Sequence, residues 1–530
     1  MIENFLLSLI PLFIFLMLRT VKSFHMLQQN LYNDDNRYLK WIKNNLNKVF
    51  IEVDLFLVLF VILLNFINEE YTMYLFSLFY FLIIYLYYKK SKKEQSKKPL
   101  VFTKRIKRLA ITTILLYLFF TWLVVINYIP NRLVYYYFFI GILVYLNHFI
   151  VFLANIINRP VEKFVYYYYY NKTSNRLKEM KHLKVIGITG SYGKTSTKNI
   201  LSDILNVKYD AYPTPKSFNT TYGMMMTINN YLDKFTEIFV AEMGAYKIGE
   251  IKDICNLVRP KYGILTKIGT AHLEIFGSQE NIQTGKFELI ESLPSDGVGV
   301  LNGDDPLQVN YKLKNNCKIV WYGIDNKNCD YYATNIKLSA NGTKFDVVFK
   351  DSGTYSFETK LLGTANVYNV LSSIALAHTL GMEIDKIQLG VKKVNATEHR
   401  LELKKYGTIN IIDDAYNSNP EGSKMALEVL GMMPGKKIIV TPGMIELGTR
   451  QYELNKVFGN YIASTCDEVI LVGLEQTKPI YDGLVESKYD MSKVHVINNV
   501  KEAFVLMQKL QENDTYVLLE NDLPDIFNEK

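Results

Sequence analysis

Several common signatures are missing from this chain of 530 residues. Its cysteines stand apart from one another, without a CxxC pair; they are Cys255, Cys317, Cys329 and Cys466. Structural zinc sites and disulfide frameworks need paired or clustered cysteines, so the sequence predicts neither and indicates reduced thiols. The signatures NKxD and LSGGQ are also absent, which disfavours a GTPase and a transporter ATPase.

A net excess of basic charge is lacking outside the first third of the chain. The net charge is +8, but residues 1–165 carry 19 Lys and Arg against 9 Asp and Glu, and the remainder is slightly acidic. Nucleic-acid-binding domains present a clustered basic surface, so this balance predicts no nucleic-acid partner. The basic excess belongs to the hydrophobic part of the chain, where it acts as a topology signal.

Long apolar runs are confined to the first 156 residues, at about 4–20, 50–68, 71–88, 109–129 and 133–156. A helix needs roughly 20 apolar residues to cross a bilayer. The first run has neither a basic segment before it nor a small-residue cleavage site after it, so we interpret it as a retained span. The sequence therefore predicts an all-α transmembrane region of five helices over residues 1–157.

The segments between these runs predict their orientation. Residues 19–48 contain six Lys and Arg and residues 89–108 contain ten, whereas the intervening NEEY connection has none. Basic loops stay in the cytoplasm, so five spans place the remaining chain there. We predict a multi-pass protein of the cell membrane with cytoplasmic catalytic domains. The lysine run in residues 89–108 predicts contact with anionic lipid headgroups. The five consecutive tyrosines of the linker at 158–180 also predict contact with membrane lipids, although a plain linker helix fits this segment as well.

The stretch GITGSYGKTSTK, residues 187–198, is typical of a phosphate-binding loop. A short β-branched run precedes it and a helix-compatible stretch follows it. Its glycines let backbone N–H groups point at phosphate oxygens, with Lys194 at the terminal phosphates and Thr195 at Mg²⁺. Ile188 stands where the common GxxxxGK[ST] pattern has glycine. An ordinary glycine turn is the alternative.

Three further residues could carry chemistry, although each has a simpler explanation. Glu242 ends the apolar strand in EIFVAEMGA, where it could bind a metal ion or be a strand-end charge. His272 follows another predicted strand, and neutral imidazole is a good metal ligand, but a single histidine is more often structural. Lys286 lies in a predicted helix, where a lysine normally belongs to a solvated face.

Several motifs occur in one order along residues 180–525: GITGSYGKTS, AEMGAYKIGEI, GTAHLEIFGSQENI with GKFELI, and IIDDAYNSNPEGS. In this order and spacing they resemble the Mur ligases, and within that family the members that add D-alanyl-D-alanine. The resemblance implies an ATP-dependent, ADP-forming acid–amino-acid ligase of peptidoglycan precursor synthesis. Such an enzyme phosphorylates a carboxylate, and an amine then attacks the acyl phosphate; metal ions and a lysine neutralise the accumulating charge.

The resemblance also implies roles for individual residues. The implied catalytic residues are Lys194, Lys286, His272 and Arg400. The implied ATP-binding residues are Gly190, Ser191, Tyr192, Gly193, Lys194, Thr195, Ser196, Asn366, Asn369, Arg400 and Asp413. The implied Mg²⁺ ligands are Thr195, Glu242, His272 and Lys286, the last as a carbamate. The implied substrate-binding residues are Asn219, Thr220, Asp414, Tyr416 and Asn417.

Departures from the family pattern concern the acceptor. Ala365 replaces the histidine of the family's GxHN segment, Thr220 replaces the second of two asparagines, and LLENDLPDIF replaces a KGS-type loop. Apolar runs occupy the place of the domain that usually binds the UDP-sugar. We therefore expect an amino-acid or dipeptide amine and a carboxylate acceptor, and leave open whether the acceptor is nucleotide-linked or lipid-linked.

The predicted fold after the linker is α/β. A central Mur-ligase-like P-loop ATPase domain with a mostly parallel sheet is expected over 181–396, and a smaller Rossmann-like domain over 397–530. Two other functions remain open: a ligase for another envelope polymer, and a non-catalytic nucleotide-binding scaffold that recruits cell-wall synthesis enzymes. The joint presence of Lys194, Glu242, His272 and Lys286 argues against a scaffold, which needs no second metal site.

Overall fold

The computed structural model describes residues 6–30, 32, 37–49, 66–67, 69–91, 99–126, 133–270, 273–416, 418–445 and 447–522. The chain divides into two compact units, with the division between Tyr167 and Tyr168. Nearly all of the predicted second span at 50–68 lies outside the described residues, as do the predicted site residues His272 and Asn417.

The described part of the amino-terminal unit is helical. Its helices are α1 (Ile10–Gln29), α2 (Leu39–Asn44), α3 (Leu46–Val49), α4 (Glu69–Ser91), α5 (Lys104–Ile126), α6 (Leu133–Tyr145) and α7 (Asn147–Glu179). The last helix continues through the predicted linker and extends past the division between the two units.

In the described part of this unit, three helical stretches are long and apolar enough to cross a membrane: Leu6–Gln29, Tyr71–Lys89 and Lys104–Val124. They coincide with the first, third and fourth predicted runs. At the fifth run, α6 and α7 meet at a bend of 69° and make a fourth candidate if together they form one span. Large apolar side chains are exposed on these helices, with Leu78 66% and Trp122 56% exposed, as lipid-facing side chains would be. The count of five spans stays a prediction.

A buried asparagine joins three of these apolar helices. The Asn147 side chain on α7 accepts hydrogen bonds from Thr20 on α1, at 2.8 Å, and from the Tyr117 hydroxyl on α5, at 2.6 Å. It also donates to the Ser23 hydroxyl on α1, at 2.6 Å. In an apolar bundle such bonds satisfy polar groups that lipid cannot, so this network contributes to helix association.

The carboxyl-terminal unit begins with a nine-stranded sheet in the order β2-β3-β1-β4-β5-β6-β7-β8-β9. Its strands are β1 (Lys184–Thr189), β2 (Ala211–Pro213), β3 (Ile238–Glu242), β4 (Tyr262–Leu265), β5 (Val298–Asn302), β6 (Lys318–Gly323), β7 (Tyr331–Ser339), β8 (Gly342–Phe349) and β9 (Gly353–Thr359). Pairing is parallel from β2 through β7 and antiparallel among β7, β8 and β9. The sheet is therefore mixed, because an antiparallel meander extends the predicted parallel sheet.

Helices cover both faces of the parallel part of this sheet. They are α8 (Lys194–Leu205), α9 (Thr221–Asn230), α10 (Glu250–Val258), α11 (Leu273–Phe276), α12 (Gln279–Glu291), α13 (Pro306–Val309), α14 (Gly363–Thr379) and α15 (Ile384–Lys393). On one face α8 and α14 share a core in which Leu201 and Ile374 are fully buried. On the other face, a Cβ on Gly187 would lie 2.5 Å from the Leu289 side chain of α12. Gly187 therefore permits close helix packing.

A second, six-stranded sheet has the order β10-β11-β15-β12-β13-β14. Its strands are β10 (Glu402–Tyr406), β11 (Ile409–Asp414), β12 (Lys437–Thr441), β13 (Glu468–Val472), β14 (Val494–Ile497) and β15 (Thr515–Glu520), and its helices are α16 (Pro420–Gly431), α17 (Gln451–Ala463), α18 (Lys478–Glu486) and α19 (Val500–Leu510). Only the β10–β11 pairing is antiparallel among the pairings described. Separate apolar cores lie on its two faces, so the predicted α/β class holds for both sheets.

A buried ion pair connects α8 to the end of β3. Lys198 Nζ lies 3.3 Å from Glu242 Oε2, and the two side chains are 1% and 2% exposed. The Lys198 ammonium also donates to the Lys216 carbonyl at 2.6 Å. Removing one partner of such a pair leaves the other charge buried and uncompensated, which costs far more than the intact pair contributes.

Replacing Glu242 with glutamine is therefore expected to lower the free energy of unfolding by about 3–5 kcal/mol, because Lys198 loses its counter-charge. The double replacement Glu242→Gln with Lys198→Met should restore much of the loss. Thermal unfolding of the single and double variants measures the coupling. The control is Asp296→Asn, which removes an exposed pair with Lys261 and should leave Tm unchanged. Equal Tm shifts in Glu242→Gln and the control would contradict the expectation.

Candidate active site

The loop between β1 and α8 adopts a backbone shape that requires glycine. Gly190 has φ +147° and Gly193 has φ +79°, in the region that side chains rarely adopt. A Cβ on Gly190 would lie 2.0 Å from Thr266 Oγ1, and one on Gly193 would lie 2.5 Å from Asn369 Oδ1. The ordinary glycine-turn alternative does not account for two such constrained positions followed directly by a helix amino terminus.

The segment after β4 supports the outer side of this loop. The backbone N–H of Ser191 donates to the Lys267 carbonyl at 2.7 Å. The Tyr192 hydroxyl accepts from the Thr270 backbone N–H at 2.9 Å, and the Tyr192 carbonyl accepts from Thr266 Oγ1 at 2.5 Å. The loop is thus held in place from the next strand of the sheet.

Lys194 begins α8 and folds back over the loop. Its Nζ donates to the Gly190 carbonyl at 2.8 Å and to the Ser191 carbonyl at 3.1 Å. Burial foremost, opposed by the charge of Glu242 and assisted by that of Arg400, lowers the pKa of Lys194 to about 8. Phosphate oxygens at this helix amino terminus would meet the ammonium and the partial positive charge of the helix. Ser196 follows in the first turn of the helix.

Side chains from two other parts of the domain donate hydrogen bonds to the Glu242 carboxylate. Its Oε1 accepts from Thr195 Oγ1 at 3.1 Å and from Asn219 Nδ2 at 3.3 Å. Its Oε2 is buried and accepts no hydrogen bond, although Lys198 lies near it. Hydroxyl, amide and carboxylate oxygens are the ligands that Mg²⁺ prefers, so Thr195 and Glu242 fit this ion. Among the described residues no three His, Cys, Asp or Glu side chains form a metal cluster.

Thr220, the neighbour of Asn219, has a different position. Its hydroxyl accepts from the Gly223 backbone N–H at 3.2 Å and caps the amino terminus of α9. Residues of the Ser/Thr type at this position stabilise a helix by satisfying a free N–H group. The structure therefore brings Asn219, but not the Thr220 hydroxyl, to the Glu242 carboxylate.

Lys286 is buried, so the alternative of a solvated helix face is wrong. It is 2% exposed, its Nζ lies 3.4 Å from the Ala245 carbonyl, and it lies 5.4 Å from the centre of the Phe276 ring. Burial foremost, and then the charge of Lys194, lower its pKa to about 7, against the attraction of Glu250 and Glu288. A lysine that loses its proton near neutral pH is a nucleophile.

Asn366 and Asn369 support α8 from α14. Asn369 Oδ1 accepts from Thr197 Oγ1 at 3.1 Å, and Asn369 Nδ2 donates to Asn366 Oδ1 at 3.2 Å. Asn366 Nδ2 donates to the Leu362 carbonyl at 2.9 Å. Both amides are buried, so they fix the first turn of α8 against the helix that crosses this face of the sheet.

The second sheet contributes Arg400, Asp413, Asp414 and Tyr416. The Arg400 guanidinium lies 4.3 Å from the centre of the Tyr416 ring. Asp413 accepts from Lys404 Nζ and pairs with His399 Nδ1, both at 2.8 Å. Beside the loop, Lys267 forms an ion pair with Glu421 on α16 at 2.8 Å. The positive charge of Arg400 also contributes to the lowered pKa of Lys194, so the two cations repel each other.

Two further charged side chains, Lys198 and Glu520, contact or pair with the predicted site residues, and the sequence did not point to them. Lys198 lies three residues after Thr195 on α8, a spacing that puts both on one helix face, and this was the available signal. Glu520 at the end of β15 is paired in register with Asp414, and it accepts a hydrogen bond from Ser418 at 2.6 Å. No sequence signal connects residues 414 and 520, because strand order alone brings them together.

Comparisons with known proteins agree with this geometry. Residues 188–377 match the Mur ligase middle domain, and residues 399–519 match the Mur ligase, glutamate ligase domain. The chain is 34% identical to the UDP-N-acetylmuramoyl-tripeptide–D-alanyl-D-alanine ligase of Bacillus subtilis, over 53% of this chain and 60% of that enzyme. It is 30% identical to the Escherichia coli ligase of the same name, over 55% of this chain and 64% of that enzyme.

A solved structure gives the same result. MurF from Acinetobacter baumannii superposes with a TM-score of 0.60 at 26% identity, over 66% of this chain and 76% of that one. The chain spans less than two thirds of the length of the Bacillus subtilis and Escherichia coli enzymes. Through its two matched α/β domains, the chain belongs to the Mur ligase family.

Proposed function

We propose that this protein is a membrane-attached, ATP-dependent amide ligase that acts through an acyl phosphate in peptidoglycan precursor synthesis. The observation that carries the proposal is the convergence of Lys194, Thr195, Glu242 and buried Lys286 around one phosphate-binding loop. A carboxylate does not react with amines, and a ligase must activate it, so this concentration of cationic and metal-binding groups fits phosphoryl transfer.

The proposed reaction has two steps. An acceptor carboxylate oxygen attacks the terminal phosphorus of ATP, the bond to the bridging oxygen breaks, and ADP leaves. The amine nitrogen then attacks the acyl carbon, inorganic phosphate leaves, and the nitrogen loses a proton to solvent as the amide forms. By analogy with the relatives' names, the amine is D-alanyl-D-alanine and the acceptor a UDP-N-acetylmuramoyl-tripeptide.

Different residues of the chain have different roles in the proposed reaction. The backbone N–H groups at the amino terminus of α8 and the Lys194 ammonium would bind the phosphates, while Thr195 and Glu242 are placed to hold Mg²⁺. When bound, Mg²⁺ supplies positive charge to the phosphoryl oxygens. Arg400 from the second domain lies close enough to influence Lys194 and adds a further cation. Lys286, which burial favours in its uncharged form, is suited to carbamylation, and its carbamate would be anionic.

The test is an acceptor screen with the purified protein, Mg·ATP and D-alanyl-D-alanine, scored by phosphate release and product mass. We expect acceptor-dependent release with the wild type and a loss of at least roughly 100-fold in Lys286→Ala, because an electrostatic contributor is removed. Added short carboxylic acids should partly restore the Lys286→Ala activity. Lys312→Ala, at an exposed lysine, is the control.

The outcomes separate the candidate functions. No phosphate release with any acceptor would favour the nucleotide-binding scaffold. Release with a different carboxylate polymer, but not with muramoyl peptides, would favour a ligase of another envelope polymer. Unchanged turnover in Lys286→Ala would remove that residue from the mechanism.

The proposed topology has five spans, an outside amino terminus and a cytoplasmic ligase. Its support is the three apolar helices, the bent pair, and the basic segments between the runs. Green fluorescent protein fused at residue 180 should fluoresce, and alkaline phosphatase fused at residue 69 should be active. Alkaline phosphatase activity at residue 180 would reverse the orientation, and recovery of the whole chain in the soluble fraction would exclude membrane attachment.

A lipid-linked acceptor is the second candidate substrate. Apolar helices in the same chain would hold the ligase domains near the bilayer, where a lipid-linked muramoyl peptide is concentrated. We expect faster turnover on lipid-linked than on UDP-linked tripeptide in liposomes. Equal rates on the two acceptors would leave the helices as an anchor alone.

A further inference from the structure

The last turns of α7 hold the carboxyl end of α9. Arg176 on α7 donates from Nη1 to the Asn229 carbonyl at 3.2 Å and from Nη2 to the Leu232 carbonyl at 2.5 Å. The hydroxyl of Thr173, which is fully buried, accepts from Asn229 Nδ2 at 2.6 Å. Carbonyls at the carboxyl end of a helix have no partner within the helix, and a cation there also meets the negative end of the helix dipole. Two residues of α7 therefore fix one end of α9.

The other end of α9 enters the candidate active site. Thr220 caps the first turn of α9, and Asn219 directly precedes that cap. Asn219 Nδ2 donates to Glu242 Oε1 at 3.3 Å, and the Asn219 carbonyl accepts from the Gly244 backbone N–H at 2.7 Å. Because α9 has 10 residues, about 15 Å separate its ends. A short helix thus connects the contacts with α7 to the Glu242 carboxylate.

Asn219 has little freedom to move independently of α9. A Cβ on Gly244 would lie 2.8 Å from Asn219 Cγ, so the amide already lies against the backbone that follows β3. Met224 and Ile228 on the inner face of α9 are fully buried, and close packing of this kind makes the helix move as one body. The 3.3 Å between Asn219 Nδ2 and Glu242 Oε1 is at the long end of the hydrogen-bond range. A small displacement of α9 would therefore break this hydrogen bond.

The residues that hold α9 belong to the helix that continues from the apolar helices. α7 runs from Asn147 to Glu179 as one helix. Thr173 and Arg176 are three residues apart, a spacing that puts both on one face of a helix. A rotation or an axial shift of α7 would therefore change both contacts with α9 together.

From these contacts we propose that Thr173 and Arg176 are positioning residues of the candidate active site, because by holding α9 they keep Asn219 against the carboxylate at the end of β3. The inference rests on the proposed function, in which Glu242 is placed to hold Mg²⁺. The Asn219 amide donates to Glu242 Oε1 and so fixes the direction of that oxygen. Groups that hydrogen-bond to a metal-ligating carboxylate orient it and tune the affinity for the metal ion. The end of α7 thus acts on the affinity of the site for Mg²⁺ through α9.

The test measures how nucleotide binding depends on Mg²⁺, by calorimetry on the full-length protein in detergent with a non-hydrolysable ATP analogue. Arg176→Gln removes the charge and the paired donors at the end of α9. We expect it to raise the Mg²⁺ concentration for half-maximal binding roughly 3- to 10-fold, the effect of about one lost hydrogen bond. Binding of the analogue in EDTA should not change, because the phosphate loop is not touched. Loss of stability alone would not produce this selective shift.

A double-variant cycle connects the effect to Asn219. Asn219→Ala alone should raise the Mg²⁺ midpoint by a similar factor, and Arg176→Gln should add nothing further in the Asn219→Ala background. Residues that act independently would instead give additive shifts.

Three further variants support the comparison. Thr173→Val removes the hydroxyl but keeps the shape, and it should raise the Mg²⁺ midpoint in the same direction. Arg176→Lys keeps the charge and should recover part of the wild-type affinity. The control is Lys178→Gln, at an exposed lysine of the same helix, which should leave the midpoint unchanged. Tm is followed for every variant, so that unfolding is not mistaken for weaker binding.

The inference is overturned if Arg176→Gln leaves the Mg²⁺ midpoint unchanged, weakens binding equally with and without Mg²⁺, or adds its full effect to that of Asn219→Ala. Nucleotide binding by the wild type that does not respond to Mg²⁺ would overturn it as well. Failure of the wild type to release phosphate with any acceptor would defeat the proposed function, whereas the expected shift of the midpoint would still support the inference.

Discussion

The carboxylate of Glu242 is the group on which the phosphate-binding side of the molecule depends. It ends β3 beside Ile188 of β1 and receives Thr195 and Asn219 on one oxygen, with Lys198 close to the other. A buried charge persists only when its surroundings compensate it. Its position therefore holds α8, the segment before α9 and the central strands in one arrangement, and it keeps a carboxylate oxygen beside Thr195 at the start of α8.

The remaining parts of the site are placed relative to that centre. The glycine loop is closed from one side by the segment after β4 and from the other by Asn369 on α14. Lys286 reaches the same region from α12, on the opposite face of the sheet from α14. The carboxyl ends of parallel strands are where α/β folds bind ligands, and here both sheets contribute such ends. The domain of the second sheet adds Arg400, and its neighbouring strands β11 and β15 end at Asp414 and Glu520.

Much of this site was predictable because its chemistry is local in the sequence. The strand–glycine loop–helix order predicted the positions of Lys194 and Thr195, since their geometry depends on a few consecutive residues. The alternative that Lys286 lies on a solvated helix face was wrong. A single lysine in a helix does not reveal which face of the helix the core covers. Thr220 illustrates the same limit: its hydroxyl caps α9, and only the backbone around it shows this.

For the fold, the sequence by itself determined the α/β character, the apolar helices at the first, third and fourth runs, and the phosphate loop, because periodicity, run length and glycine spacing are local properties. The antiparallel β7–β9 meander, the Lys198–Glu242 pair and the Asp414–Glu520 pair were decided only by tertiary structure. Residues 414 and 520 meet because β15 is inserted between β11 and β12. Strand order depends on packing across the whole domain, and so on contacts that no short stretch of sequence contains.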